Sequence, residues 1–216
     1  MSEPKRIDYQ PNATWASDLQ VLKSMIFADV KGSTQQERLE SFYVTQADLY
    51  DSYRCRMLHG RFPMINAMPA PKGGVWVDMG GGTGSNLEFF GDKLNHWSKV
   101  VVLDLCPSLV ETAQKRVTAR GWDSFVSVVL GDACDFECAG MPAAGKLEII
   151  ILDTICPKLS TSCNLEDLSM VTLCTFPKGT VDVVTFSYAL SMIPDWRLAI
   201  RNAFRMLKVV SSCLRS

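Results

Sequence analysis

Residues Val75 to Gly84 read Val-Trp-Val-Asp-Met-Gly-Gly-Gly-Thr-Gly: an apolar run ending in Asp78, then glycine at every second position, Gly80, Gly82 and Gly84, with Gly81 filling one gap. Glycine at that density is needed where backbone turns sharply or comes within contact of a ligand, because a Cβ would clash. The dinucleotide fingerprint G-x-G-x-x-G fits in no register. Counted from Gly80 its last position is Ser85, counted from Gly82 it is Leu87, and counted from Gly81 its middle glycine is Thr83. The pattern that fits is D-x-G-x-G-x-G, opening at Asp78.

The flanks make the turn part of a larger repeat. Pro71-Lys72-Gly73-Gly74 punctuates the approach, Val75–Met79 reads as a buried parallel strand, and Ser85–Leu94 reads as a helix. A second apolar run, Lys99–Leu103, ends in Asp104, placed to accept hydrogen bonds from a ribose diol. Pro107 can open a helix without losing a needed N–H, Ser108–Arg120 carries Leu109, Val110, Ala113 and Val117 at helical spacing, and Gly121 closes it. A third strand, Phe125–Leu130, runs into Gly131-Asp132-Ala133, and a fourth, Val181–Phe186, into Ser187-Tyr188-Ala189-Leu190. Strand, loop and helix recur in the order of a doubly wound, mostly parallel α/β sheet. Ahead of it, residues 1–34 read as a polar arm and first helix, and 35–216 as the main domain. Gln35–Met57 is helical in pattern, with Leu39, Phe42, Tyr43, Ala47, Leu49, Tyr50, Tyr53 and Met57 forming a broad stripe. The basic cluster Arg54, Arg56, His59, Arg61 and Lys72 reads first as a solvated helix end, and second as a partner for a carboxylate.

The D-x-G-x-G-x-G turn is the signature of Rossmann-like, S-adenosylmethionine-dependent methyltransferases. Longer strings narrow this: Phe42–Asp51, Arg56–Arg61, Val102-Leu103-Asp104-Leu105-Cys106-Pro107-Ser108-Leu109, and Phe186 through Trp196. Together they resemble the N-methyltransferase domain of betaine lipid synthases, over roughly residues 36–136 and 178–208. The resemblance implies S-adenosylmethionine as cofactor and the amino group of diacylglyceryl-homoserine as acceptor. It places Asp78, Gly80, Gly82, Gly84 and Asn86 around the methionine part of the donor, Asp104 at the ribose, and Asp132 with Ala133 at the adenine, with Gly81, Thr83, Leu105 and Ser187 also binding the cofactor. Ser187, Tyr188 and Met192 would line the junction of donor and acceptor, and the helix carrying Tyr43 and Tyr50 would form a lid whose aromatic faces suit a sulfonium or methylated ammonium ion. Asp195, after Pro194, reads as a helix cap, and no catalytic acid or base is nominated. Two other readings stay open: a methyltransferase of a soluble small molecule, and an inactive fragment that at most binds the donor.

Composition limits the classes. The 216 residues, 47% hydrophobic, can bury one sizeable core, and the formal net charge of −1 lacks the basic field of a nucleic-acid binder. Eight cysteines include no C-x-x-C pair and the two histidines, His59 and His96, stand apart from them, so no metal site is expected. No signal peptide or membrane-spanning run is evident, which points to the cytoplasm. The lipid acceptor implied by the resemblance adds peripheral docking at the endoplasmic reticulum membrane, with residues Met57–Met68 as a candidate face, and an aminocarboxypropyl transferase domain or protein as partner. The sheet reading counts four strands that fit, and the chain departs from the family after Lys208 and over Gly145–Phe176, an apparent insertion whose apolar run Leu147–Leu152 reads as a strand or buried segment. From these departures the sequence predicts a truncated domain lacking C-terminal strands.

Overall fold

A computed structural model describes residues 30–44, 60–136, 148–152 and 181–207. Its centre is one parallel sheet. The strands are β1 (Gly74–Met79), β2 (Trp97–Asp104), β3 (Val126–Leu130), β4 (Glu148–Leu152) and β5 (Val183–Ser187). Their order is β3-β2-β1-β5-β4, and every pairing is parallel. The helices are α1 (Gln35–Tyr43), α2 (Arg61–Ala67), α3 (Pro107–Arg120) and α4 (Trp196–Met206).

All six residues of β1 are buried, as expected for a central strand covered on both faces. The period-two alternation divides the core. Val75, Val77 and Met79 join Val101, Leu103, Val184 and Phe186 beneath α4, which contributes Ala199, Ile200, Ala203 and Met206. Trp76 points the other way, into Val100, Val102, Phe90, Leu94 and Trp97, closed by Ile65 of α2 and by Ala113 and Val117 of α3. Helices thus cover both faces, and the sheet is doubly wound.

Local signals set most of the boundaries. Pro107 opens α3 and Gly121 ends it at φ +70°, where a Cβ would be strained. Helix α1 starts at a full capping box: Thr34 accepts from Glu37 N–H, and Glu37 accepts back from Thr34 N–H at 3.1 Å. Three details correct the sequence reading. The sheet has five strands rather than four, because the apolar run in the apparent insertion takes the strand alternative of its two readings and, as Glu148–Leu152, joins the sheet beside β5 in register from Glu148↔Val183 to Leu152↔Ser187. Ser85–His96 is a 3-10 stretch rather than an α-helix, broken at Gly91 (φ +52°, ψ −133°). The final strand begins at Val183, with Val181 forming an isolated bridge to Leu207 instead. Of the helix expected over Gln35–Met57, the part to Val44 is described and ends at Tyr43, and the remainder lies outside the described residues. Of the candidate membrane face over Met57–Met68, the part from Arg61 is described: Arg61, Ile65 and Met68 are buried, and Pro63 and Ala67 are exposed.

Candidate functional site

Strand order reverses on either side of β1, and at such a switch point the loops leaving neighbouring strands diverge and open a crevice. A cavity of about 310 Å³ lies there, within the size range of cofactor pockets. Its walls come from α1 (Gln35, Leu39, Tyr43), the glycine turn (Gly80, Gly82), the end of β2 (Leu103, Asp104, Leu105), the turn after β3 (Gly131 to Cys134), and the segment after β5 from Tyr188 to Leu198.

The glycine turn explains the alternation in the sequence. Gly80, Gly82 and Gly84 take φ of +66°, +59° and +69°, a left-handed conformation at every second residue. At Gly80 there is also no room, because a Cβ would stand 2.4 Å from the Cβ of Ala189. Gly80→Ala is therefore expected to destabilise the fold by roughly 3 kcal/mol, summing left-handed strain and a forced shift of the post-β5 loop. Urea unfolding would measure it, and an unchanged midpoint would show that the loop yields freely. Asp104 completes the cradle. Its Oδ2 accepts the Gly82 N–H at 2.8 Å and its Oδ1 accepts the Cys106 N–H at 2.9 Å. A carboxylate in this position is an acceptor that a ligand diol can also reach.

Behind the turn lies a buried polar chain. Asp78, fully buried, accepts from Asn86 Nδ2 at 2.8 Å and from the Thr185 hydroxyl at 2.6 Å, while Trp76 Nε1 donates to Thr185 at 2.9 Å. Arg61 anchors the far end, its Nε and NH2 donating to Asn86 Oδ1 at 3.1 and 2.7 Å and NH2 donating to Ser85 Oγ at 2.6 Å. Arg61 is thus no solvated helix end: it is 3% exposed, over the Phe89 ring, and its fork fixes which way the Asn86 amide faces.

Helix α1 roofs the cavity, with Gln35, Leu39 and Tyr43 spaced one turn apart along its inner face. Gln35 Nε2 donates to the Met192 carbonyl at 3.0 Å. Glu40 accepts the Ser108 N–H at 3.0 Å and the Cys106 thiol at 3.2 Å, which caps the start of α3 from another element. On the far wall Asp195 caps α4 by accepting Leu198 N–H at 3.2 Å, as its sequence context predicts. Tyr188 holds φ +58°, the one non-glycine residue among those described in the left-handed region, and such strain clusters at ligand sites.

The electrostatics favour a cation. Among the described residues the lining includes the carboxylates Asp104, Asp132 and Asp195 and no lysine, arginine or histidine. The Cys134 thiol is pushed up to about 12 by burial and by the neighbouring Asp132, so it is protonated near neutral pH and not a nucleophile. Cys106 is pushed up to about 11, chiefly by burial.

Of the residues singled out from sequence, Tyr43, Gly80, Gly82, Asp104, Leu105, Asp132, Ala133, Tyr188 and Met192 meet at this cavity. Asp78, Gly81, Thr83, Gly84, Asn86 and Ser187 do not line it. Asp78 and Asn86 are spent on the buried chain, a Cβ on Gly81 would stand 2.7 Å from Val102 Cγ1, and Ser187 is 2% exposed with no hydrogen-bond partner for its hydroxyl. Tyr50 lies outside the described residues. Sequence reasoning passed over Gln35, Leu109, Cys134, Ile193 and Leu198 as site residues. The one-turn spacing of Gln35, Leu39 and Tyr43 was the available signal for the first of them.

Comparison with known proteins gives a consistent picture. A family model described as "Methyltransferase domain" matches residues 50–212. A chain in the complex between the Haloferax volcanii Trm112 methyltransferase activator and the putative methyltransferase superposes with TM-score 0.51 at 19% identity, covering 77% of this chain and 55% of that one. A putative S-adenosyl-L-methionine-dependent methyltransferase from Methanococcus maripaludis gives TM-score 0.48 at 15% identity, over 76% of this chain and 58% of that one. A SAM-dependent methyltransferase from Aquifex aeolicus gives 0.47 at 15% identity, over 76% and 66%. The match thus spans between about half and two thirds of these solved chains. No curated protein sequence matches the chain.

Proposed function

The chain belongs to the methyltransferase-domain family, and from that premise we propose that it methylates the amino nitrogen of a diacylglyceryl-homoserine lipid. S-adenosylmethionine is the cofactor of this family and fold. The observation that carries donor binding is the 2.8 Å bond joining the left-handed glycine turn to the Asp104 carboxylate within one cavity. Main chain too close for a Cβ and an acceptor for a diol stand side by side there.

When bound, the donor supplies a methyl carbon already activated by a sulfonium. The chain's own residues bind, orient and exclude water, a contribution that reaches about 7–11 kcal/mol in well-aligned reactions. Asp104 holds the ribose, Asp132 and Ala133 border the adenine, and Gly80 and Gly82 lie against the methionine portion. Tyr43 and Tyr188 present aromatic rings at the acceptor end, suited to the cation that grows on nitrogen as it gains methyl groups. The three carboxylates among the described lining residues favour a sulfonium and an amine over an anionic acceptor. Leu39, Met192, Ile193 and Leu198 give that end an apolar wall for the glyceryl side of a lipid. The acceptor sits in a membrane, and an aminocarboxypropyl transferase would supply it.

Calorimetric titration with S-adenosylhomocysteine tests the donor site, and transfer of labelled methyl to diacylglyceryl-homoserine in mixed micelles tests the acceptor. Binding followed by labelled trimethylated lipid is the expected pair of results. Binding with label delivered only to soluble amines would replace the lipid by a small-molecule acceptor. No heat at saturating ligand would leave an inactive fragment as the correct reading.

A further inference from the structure

We propose that the exposed face of α4 docks on an anionic lipid bilayer and holds the cavity mouth against it. This rests on the lipid-acceptor reading above, which requires the mouth to reach a membrane surface. Arg197, Arg201 and Arg205 are exposed and fall one turn apart, on a helix that contains no aspartate or glutamate. The full chain carries 22 basic and 23 acidic residues, so this stripe is a local field and not part of a general excess.

The opposite face fixes the helix rigidly. Ala199, Ile200, Ala203 and Met206 are buried in the core, and Asn202 Nδ2 donates to the Ala133 and Phe136 carbonyls at 2.9 and 2.8 Å. The stripe is therefore held in fixed relation to the Asp132–Ala133 wall of the cavity. At the near end, Met192 is 39% exposed and Pro194 is exposed beside it, and the Arg197 guanidinium lies 4.3 Å from the centre of the Trp196 ring. An arginine stacked on a half-buried tryptophan, next to exposed apolar side chains, suits the boundary between headgroups and acyl chains. The carboxylates at this end are Asp195, which turns an oxygen to the Leu198 N–H as the helix cap, and Asp132 and Asp135 near Cys134, so the arginine stripe, and not the acidic mouth, makes the contact with anionic headgroups. The segment that lines the mouth runs directly into the basic helix, so docking through one presents the other.

Each arginine near an anionic surface strengthens partitioning by about fivefold, and three together by about 100-fold. Sedimentation with phosphatidylcholine vesicles, with and without a fraction of phosphatidylserine, reads this directly. The full chain is expected to bind the phosphatidylserine vesicles, to bind neutral ones weakly, and to be released by high salt. The triple variant R197Q/R201Q/R205Q is expected to lose about 100-fold in partitioning while keeping its S-adenosylhomocysteine affinity, which also reports that it is folded. The charge-retaining R197K/R201K/R205K is expected to keep most of the binding. Equal binding of neutral and anionic vesicles, unchanged binding by the glutamine variant, or tighter binding of duplex RNA than of vesicles would each overturn the proposal. Methylation of micelle-dispersed lipid separates the two readings. Activity there without vesicle binding sinks the docking surface alone, and vesicle binding without activity sinks the lipid acceptor alone.

Discussion

Asp104→Ala is expected to weaken S-adenosylhomocysteine binding by about 100-fold or more. Two hydrogen bonds from a ribose diol to a carboxylate contribute together about 3 kcal/mol or more when the site is partly desolvated. The same substitution deletes the acceptor for the Gly82 and Cys106 N–H groups, so the cradle itself loosens. Asp104→Asn separates these effects. It keeps one oxygen, loses the charge, and should fall between the parent and the alanine variant. Calorimetry on the three proteins gives the order. An Asp104→Ala variant that binds as tightly as the parent would mean the ribose is held elsewhere, and the proposed donor site would fail with it.

The second large effect is expected at Arg61, which does not line the cavity. Arg61→Met removes three hydrogen bonds and strands the Ser85 hydroxyl and the Asn86 carbonyl oxygen in a buried setting. It also removes a positive charge that balances buried Asp78 through the Asn86 amide. A cost of about 3 kcal/mol follows, less than the sum of the separate bonds because they act as one network, and roughly a 10 °C drop in Tm. Affinity for S-adenosylhomocysteine should fall as well, since Ser85 and Asn86 directly follow the glycine turn. Arg61→Lys restores the charge but not the fork, and is expected to recover part of the stability. Calorimetric melting reads all three, and a Tm within a degree or two of the parent for Arg61→Met would show the network to be dispensable.

These two residues mark how far the site was legible. Asp104 was readable because an acidic residue at the tip of the second strand in a doubly wound sheet has one place to go. Arg61 was not, since it reads as one member of a basic cluster with Arg54, Arg56 and His59, and its partners are 24 and 25 residues away. Asp78 shows the same limit from the other side: it belongs to the glycine signature, yet it faces Asn86 and Thr185, the latter 107 residues on. The apolar run Leu147–Leu152 could be read as a strand or a buried segment, but its membership of the sheet could not, for a related reason. Glu148–Leu152 lies between the third and final strands in sequence but takes the outer place beside β5, which only pairing decides.

What the chain determined by itself was local. The alternation of Gly80, Gly82 and Gly84 records three left-handed backbone positions, Pro107 and Gly121 record where α3 starts and stops, and the apolar runs at Val75 and Val183 record strands buried on both faces. Each is written in residue identity because the cost of a wrong side chain falls on that same residue. Tertiary structure decided which polar groups line the cavity and which are spent behind it. It laid α1 across the opening, with Glu40 reaching Ser108 over 68 residues. Those outcomes depend on which distant groups meet out of water, and burial makes each unmet hydrogen bond costly enough to select the arrangement.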